Sequence, residues 1–337
     1  MFSKSPCRAR RSCQTGTTLQ QCLSLGPSRS KWTFTVPCAQ TCPMSTERPF
    51  GRALCAMITP FSPSGALDLD RAGELAARLV AEGCDGLVLN GTTGESPTTT
   101  DAEKAALVSA VRAAIGPGPS LLAGVGTADT GHTAELARQA GKAGADGLLV
   151  VTPYYSRPPQ AAVEAHFLKV ADATELPVMV YDIPGRTGTR VEPATMRRLA
   201  EHPRIVAVKD CSYDLLASAR LIAETGLAYY SGSEELNLPL YAVGGAGYVS
   251  TVANVAPRQL RAVLDAFDAG DTAGAARLNA ATLPLAELMM ASGLPGTVTA
   301  KALLGGPVRE PLQPADRETV DGLRGALEVL RQAESVV

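Results

Sequence analysis

From residue 44 onward the chain alternates short apolar runs with longer amphipathic stretches. The apolar runs fall at 54–58, 86–89, 121–124, 147–151, 178–181, 205–208, 228–230 and 248–252. Most are almost continuously apolar, as expected of parallel strands covered on both faces. Seven helical stretches alternate with them, among them 69–82, 101–115, 130–143, 159–173, 193–202 and 214–225. Strict alternation predicts a parallel sheet with right-handed crossovers. Eight strands is the number that closes a (β/α)8 TIM barrel, so that α/β fold is expected. An open doubly wound sheet is the competing architecture, but no predicted strand is followed by GxGxxG. A helix at 257–269 follows the eighth strand. Further helical patterns at 272–290, 297–304 and 316–334, punctuated by Pro284, Pro295, Pro307, Pro311 and Pro314, predict a C-terminal helical extension. The expected organisation is an unstructured segment at 1–43, a catalytic barrel at 44–270 and the extension at 271–337.

The first 43 residues differ from the rest. No acidic residue precedes Glu47, whereas Lys4, Arg8, Arg10, Arg11, Arg29 and Lys31 are basic, and Ser and Thr are abundant. Five of the eight cysteines (Cys7, Cys13, Cys22, Cys38 and Cys42) also fall there. Such composition resembles an organelle transit peptide; a true start at Met44, with upstream sequence read as protein, is the preferred alternative. The cytoplasm is therefore the expected location, or a plastid or mitochondrion if the segment is a genuine transit peptide.

Bulk composition excludes several classes of function. The formal net charge is −2 and aromatic residues make up 4%, so neither a basic footprint nor a stacking platform for nucleic acid is present. No apolar run approaches the ~20 residues that span a bilayer. Cys55, Cys84 and Cys211 are far apart, there are only three histidines, and no CxxC or HExxH occurs, so no metal site is expected. These cysteines read as small buried hydrophobes in a reducing compartment, although Cys211 stands two residues from Lys209.

The candidate chemistry collects just after the predicted strands, positions that share one face of a barrel. Lys209 follows the run 205–208 and precedes Asp210. Burial disfavours a charged lysine and frees the neutral amine that attacks carbonyls; a structural salt bridge is the competing explanation. Strand two ends in Asn90-Gly91-Thr92-Thr93-Gly94-Glu95-Ser96, where glycines admit close backbone approach and two threonines offer hydroxyls and amides to an anion such as a carboxylate. A plain helix-capping turn is the alternative. Tyr154, Tyr155 and Tyr181 lie at strand ends, where hydroxyl chains relay protons when no histidine is at hand. Arg186, five residues beyond Tyr181 in a Pro/Gly-rich loop, suits bidentate recognition of a carboxylate. Together these residues describe a class I aldolase or lyase, in which a neutral lysine condenses with the ketone of a 2-oxo acid.

The stretches 86–95 with Glu103, 152–158, 181–210 and 244–255 resemble the dihydrodipicolinate synthase/N-acetylneuraminate lyase family, and the likeness runs from about Leu54 into the C-terminal helices. The Thr92-Thr93 pair, Tyr154-Tyr155 and the arginine at Arg186 resemble the synthase branch. That resemblance implies a lysine-biosynthesis enzyme of the diaminopimelate route that condenses pyruvate with L-aspartate 4-semialdehyde to 4-hydroxy-tetrahydrodipicolinate. It implies no cofactor beyond an imine on Lys209, and no metal. Pyruvate's carboxylate would be held by the Thr92-Thr93 turn and backbone near Val249, with Gly232 lining the pocket. Tyr181 would exchange protons at the imine, and Thr92 and Tyr155 would complete the relay, Tyr155 from a neighbouring subunit. Arg186 would hold the carboxylate of the semialdehyde. A homo-oligomer, usually a tetramer, is implied. Family members inhibited by lysine often carry histidines where Asp101 and Lys104 stand, so weak or no lysine inhibition is expected. A sugar-acid aldolase of the same fold and a catalytically silent barrel are the alternatives; the retained lysine and hydroxyls count against the second.

Overall fold

The computed structural model describes residues 48–334, so the segment expected at 1–43 lies outside the described residues. Eight parallel strands close in sequence order into a barrel: β1 (Ala53–Ala56), β2 (Gly86–Leu89), β3 (Ser120–Gly124), β4 (Gly147–Val151), β5 (Val178–Asp182), β6 (Ile205–Asp210), β7 (Ala228–Ser231) and β8 (Gly247–Ser250). Around and between them run α1 (Leu69–Ala81), α2 (Asp101–Ile115), α3 (Thr130–Ala143), α4 (Gln160–Asp172), the single turn α5 (Pro184–Thr187), α6 (Pro193–Leu199), α7 (Leu215–Thr225), α8 (Asn237–Ala242) and α9 (Pro257–Asp268). Helices α10 (Thr272–Met290), α11 (Gly296–Leu304) and α12 (Arg317–Glu334) follow.

Local chemistry sets the helix starts. Asp68, Asp129, Asp214 and Asp271 accept backbone N–H groups at the starts of α1, α3, α7 and α10. At α2, Thr100 and Glu103 form a reciprocal capping box. Along α1, Ala72, Ala76 and Leu79 share one buried stripe, the pattern of a helix laid on a sheet.

Apolar residues are buried on both sides of the strands. Leu54, Val88, Leu122, Leu149, Met179, Ala207, Tyr230 and Val249 pack as one cluster with Phe50, while Leu87, Leu121, Leu148, Val180 and Val208 pack in the layer shared with the helices. The barrel interior is thus a filled core, and chemistry is confined to the rim.

Three features depart from expectation. Strand β6 runs on to Asp210, so Lys209 lies within it. Its register with β5 shifts between Val178 and Met179: Val178 pairs with Ile205, but Met179 pairs with Ala207 and Tyr181 with Lys209. The extra residue bends the strand and re-aims the side chains beyond it. Finally, α10 runs unbroken through Pro284, a residue expected to punctuate helices. Its packing against α9 and α12 outweighs the roughly 3 kcal/mol that an interior proline costs.

Candidate active site

Lys209 is 5% exposed and lies level with Tyr181 of β5 on one side and Tyr230 of β7 on the other. Its Nζ stands 4.4 Å from the centroid of the Tyr181 ring. Burial is the largest influence on the amine and holds its pKa below the usual lysine value. The Arg186 cation pushes the same way, against the opposing charge of Glu234. The Tyr181 phenol is pushed well above its ordinary pKa, first by burial, while a hydrogen bond with Thr92 and the Arg186 charge act in the opposite direction. A lysine biased towards its neutral form therefore touches a phenol that keeps its proton.

Gly232, just past β7, permits this arrangement. A Cβ there would stand 2.7 Å from Lys209 Cε and would collide with Cys211 Sγ. Cys211 is buried, and its thiol is pushed up to about 11, chiefly by burial, so it remains a thiol. Val249 is buried in β8 at the level of Leu54.

The turn after β2 is held tightly. Both residues that flank it, Asn90 and Glu95, have φ of 55°, in the left-handed region that non-glycine residues seldom enter. Within it the Glu95 amide donates to Thr92 O at 3.1 Å and the Ser96 amide to Gly91 O at 3.2 Å. At Gly94 a Cβ would stand 3.1 Å from the Asn90 nitrogen, too close for most side chains. Thr93 is buried, its hydroxyl 2.9 Å from that of Thr251 after β8. Thr92 is exposed.

A buried carboxylate that the sequence reading missed anchors Thr251. Glu234 accepts the Thr251 amide at 2.7 Å, the Val252 amide at 3.1 Å and the Ser250 hydroxyl at 2.7 Å. Burial raises its pKa. The one signal for it is an acidic pair, Glu234-Glu235, so close behind a strand end.

A cavity of about 410 Å³ opens beside these groups. Its lining includes Thr92, Tyr154, Tyr181, Ile183, Arg186 and Thr187, together with Ser96, Asp101, Lys104 and His132. Tyr181 forms the stretch of wall that adjoins Lys209. Arg186 is exposed on the single-turn helix α5, where a loop was expected. Tyr155 does not join the group: it is 95% exposed, with φ of 72°. Of the eight expected site residues, Thr92, Tyr181 and Arg186 line this cavity, Lys209 adjoins it through the Tyr181 ring with Gly232 against its side chain, Thr93 and Val249 are buried, and Tyr155 is exposed. Among the described residues no group of three or more His, Cys, Asp or Glu side chains is placed to hold a metal ion. No helix among them is long and apolar enough to cross a membrane.

A family model described as the dihydrodipicolinate synthetase family matches residues 49–330. The chain is 72% identical over 284 residues to 4-hydroxy-tetrahydrodipicolinate synthase 1 of Streptomyces coelicolor, covering 82% of this chain and 93% of that protein. It is 56% identical to 4-hydroxy-tetrahydrodipicolinate synthase of Acidothermus cellulolyticus, covering 82% and 91%. Among solved structures, dihydrodipicolinate synthase from Cyanidioschyzon merolae with lysine bound superposes with a TM-score of 0.81 at 37% identity, covering 84% of this chain and 98% of that one.

Proposed function

Since the chain belongs to the dihydrodipicolinate synthetase family and is a lyase, we propose that it condenses pyruvate with L-aspartate 4-semialdehyde to give 4-hydroxy-tetrahydrodipicolinate, the committed step towards lysine by the diaminopimelate route. The observation that carries this reading is Lys209, buried in β6 with its amine over the Tyr181 ring. Each unit by which burial lowers a lysine pKa raises the neutral, nucleophilic fraction at neutral pH about tenfold.

In this mechanism the Lys209 amine attacks the keto carbon of pyruvate and water leaves, forming an imine. The Thr92-Thr93 turn and the backbone near Val249 hold the pyruvate carboxylate. Loss of a methyl proton gives the enamine, which adds to the aldehyde carbon of the semialdehyde. The amino group of the adduct then attacks the imine carbon, closes the ring and releases Lys209. Tyr181 donates and accepts protons at the imine, consistent with its protonated phenol and its link to Thr92. Arg186, on the cavity wall, pairs with the carboxylate of the semialdehyde.

Tyr155 completes the relay to solvent from a neighbouring subunit, a reading supported by its exposure away from its own cavity. The working form is accordingly a homo-oligomer, a tetramer in this proposal. Residues 44–270 are taken as the catalytic barrel and 271–337 as its extension, acting in the cytoplasm without a cofactor beyond the imine.

Borohydride reduction with pyruvate tests the central step. The expected result is a mass increase confined to the peptide carrying Lys209, and an unmodified peptide would sink the mechanism. Condensation with the semialdehyde, assayed against cleavage of sugar acids, tests the second substrate.

A further inference from the structure

The turn proposed to bind pyruvate is tied from behind to the C-terminal helices. Glu95, the left-handed residue that ends it, has a side chain with no solvent exposure, and its carboxylate pairs with Lys301 of α11, which is 2% exposed. The same carboxylate accepts the Arg309 amide at 2.8 Å. The Lys301 ammonium also donates to Pro307 O at 2.8 Å and stands 4.1 Å from the centroid of the Phe61 ring. The Arg309 guanidinium covers that ring at 4.1 Å and donates to Thr98 O at 2.8 Å. Further along the turn, the Thr297 hydroxyl at the start of α11 donates to Thr92 O at 3.3 Å.

A buried ion pair is weak support for stability as such, because desolvation offsets much of the attraction. Its partners' placement points to another role. The pair attaches α11 to one hinge of a turn whose two flanking residues both sit at unfavourable positive φ. Strained backbone persists only where its surroundings over-determine it. Hydrogen bonds within the turn hold the Glu95 backbone locally, and Lys301 and Arg309 hold its side chain from outside.

We propose that Lys301 is a positioning residue for pyruvate binding: acting through Glu95, it holds the Thr92-Thr93 turn in the conformation that receives the substrate carboxylate. The proposal rests on the reading of that turn as the pyruvate carboxylate site. It gives the C-terminal extension a part in substrate affinity although none of its side chains reaches the reacting atoms.

Three variants test it: Lys301→Met, Lys301→Arg, and Glu95→Gln combined with Lys301→Met. Each is assayed for KM and kcat with pyruvate, for thermal melting, and for borohydride trapping at saturating pyruvate. Displacing a preorganised binding group by a fraction of an ångström is expected to raise KM for pyruvate about ten- to a hundredfold in Lys301→Met and the double variant. Their kcat falls less, and Lys301→Arg recovers most of the affinity. The double variant separates position from folding: with both charges gone no charge is stranded in the interior, so it melts close to the parent. Lys209 is labelled in all three at saturation. An unchanged KM for pyruvate in the double variant, with Lys209 labelled in the parent, overturns the proposal alone. A parent that gives no Lys209 adduct overturns the reading of the site and this proposal with it.

Discussion

Replacing Gly232 with alanine adds a single methyl group at the tightest point beside Lys209. The new Cβ would lie 2.7 Å from Lys209 Cε and would also strike Cys211 Sγ, whereas ordinary contact begins at 3.4 Å. Gly232 has no positive φ, so alanine strains no backbone there and the whole effect is steric. Relief requires Lys209 to retreat by about 0.7 Å, and displacements of that order cost about ten- to a hundredfold in rate. Overpacking of this kind also destabilises by about 1–3 kcal/mol. In a domain of this size that corresponds to roughly 2–5 °C in Tm. The assay is kcat/KM for condensation beside a melting curve, for Gly232→Ala and for Gly232→Ala with Cys211→Ala. The second variant removes the sulfur but leaves the contact with Lys209. It should recover much of the stability and little of the activity. Parental kcat/KM and Tm in Gly232→Ala would refute the argument that backbone proximity sets the position of the lysine.

Tyr181→Phe should lower kcat by about a hundred- to ten-thousandfold, the range for loss of a proton-transfer group, while still giving a borohydride adduct on prolonged incubation. Arg186→Ala should raise KM for the semialdehyde and leave pyruvate trapping at Lys209 intact; full synthase activity in that variant would remove Arg186 from the site. Asp182 is raised to about 7, first by burial, with the Asp210 carboxylate adding to the shift and Arg190 and the Val191 amide opposing it. The folded protein therefore holds this proton more tightly than the unfolded chain, so the stability it contributes is full below the unfolded value of 3.8 and is lost as pH rises through about 7. Asp182→Asn should match the parent in Tm near the acid end of that window and exceed it above the window; parallel Tm curves across it would contradict the assignment. Added lysine should inhibit weakly or not at all, because Lys104 is already bonded to Ser96 O at 3.0 Å and Asp101 to His132 at 2.9 Å; inhibition at low lysine concentration in the condensation assay would overturn this.

Most of the barrel was legible because its strands are covered on both faces and its helices carry capping residues that mark their starts. The starts of α2, α3 and α10 follow from Thr100, Asp129 and Asp271. The seventh alternating helix, α8, has no bounds readable in the sequence, because six residues with Pro239 inside give too little period. Residues at the site with local motifs, such as the Thr92-Thr93 turn and Lys209, could be found in the chain. Partnerships between distant segments could not. Lys301 stands 206 positions from Glu95 in a stretch that reads as an ordinary amphipathic helix. Only the folded chain identifies it as a buried charge with a single carboxylate to neutralise it. Glu234 was hidden for the same reason, since the groups it binds lie at and just beyond the end of the next strand.

The irregularity at the start of β6 has a consequence for how the position of Lys209 is encoded. Facing in or out along a strand is decided by parity. Val178 and its partner Ile205 face the helices, whereas Met179 and its partner Ala207 face the interior, so deleting Val206 would leave a regular ladder with Lys209 still beside Tyr181. Deleting Val208 instead would leave every proposed site residue unchanged in identity, yet would put Lys209 in a position that faces the helices. Lys209 is thus specified twice, once by its codon and once by its spacing from Ala207.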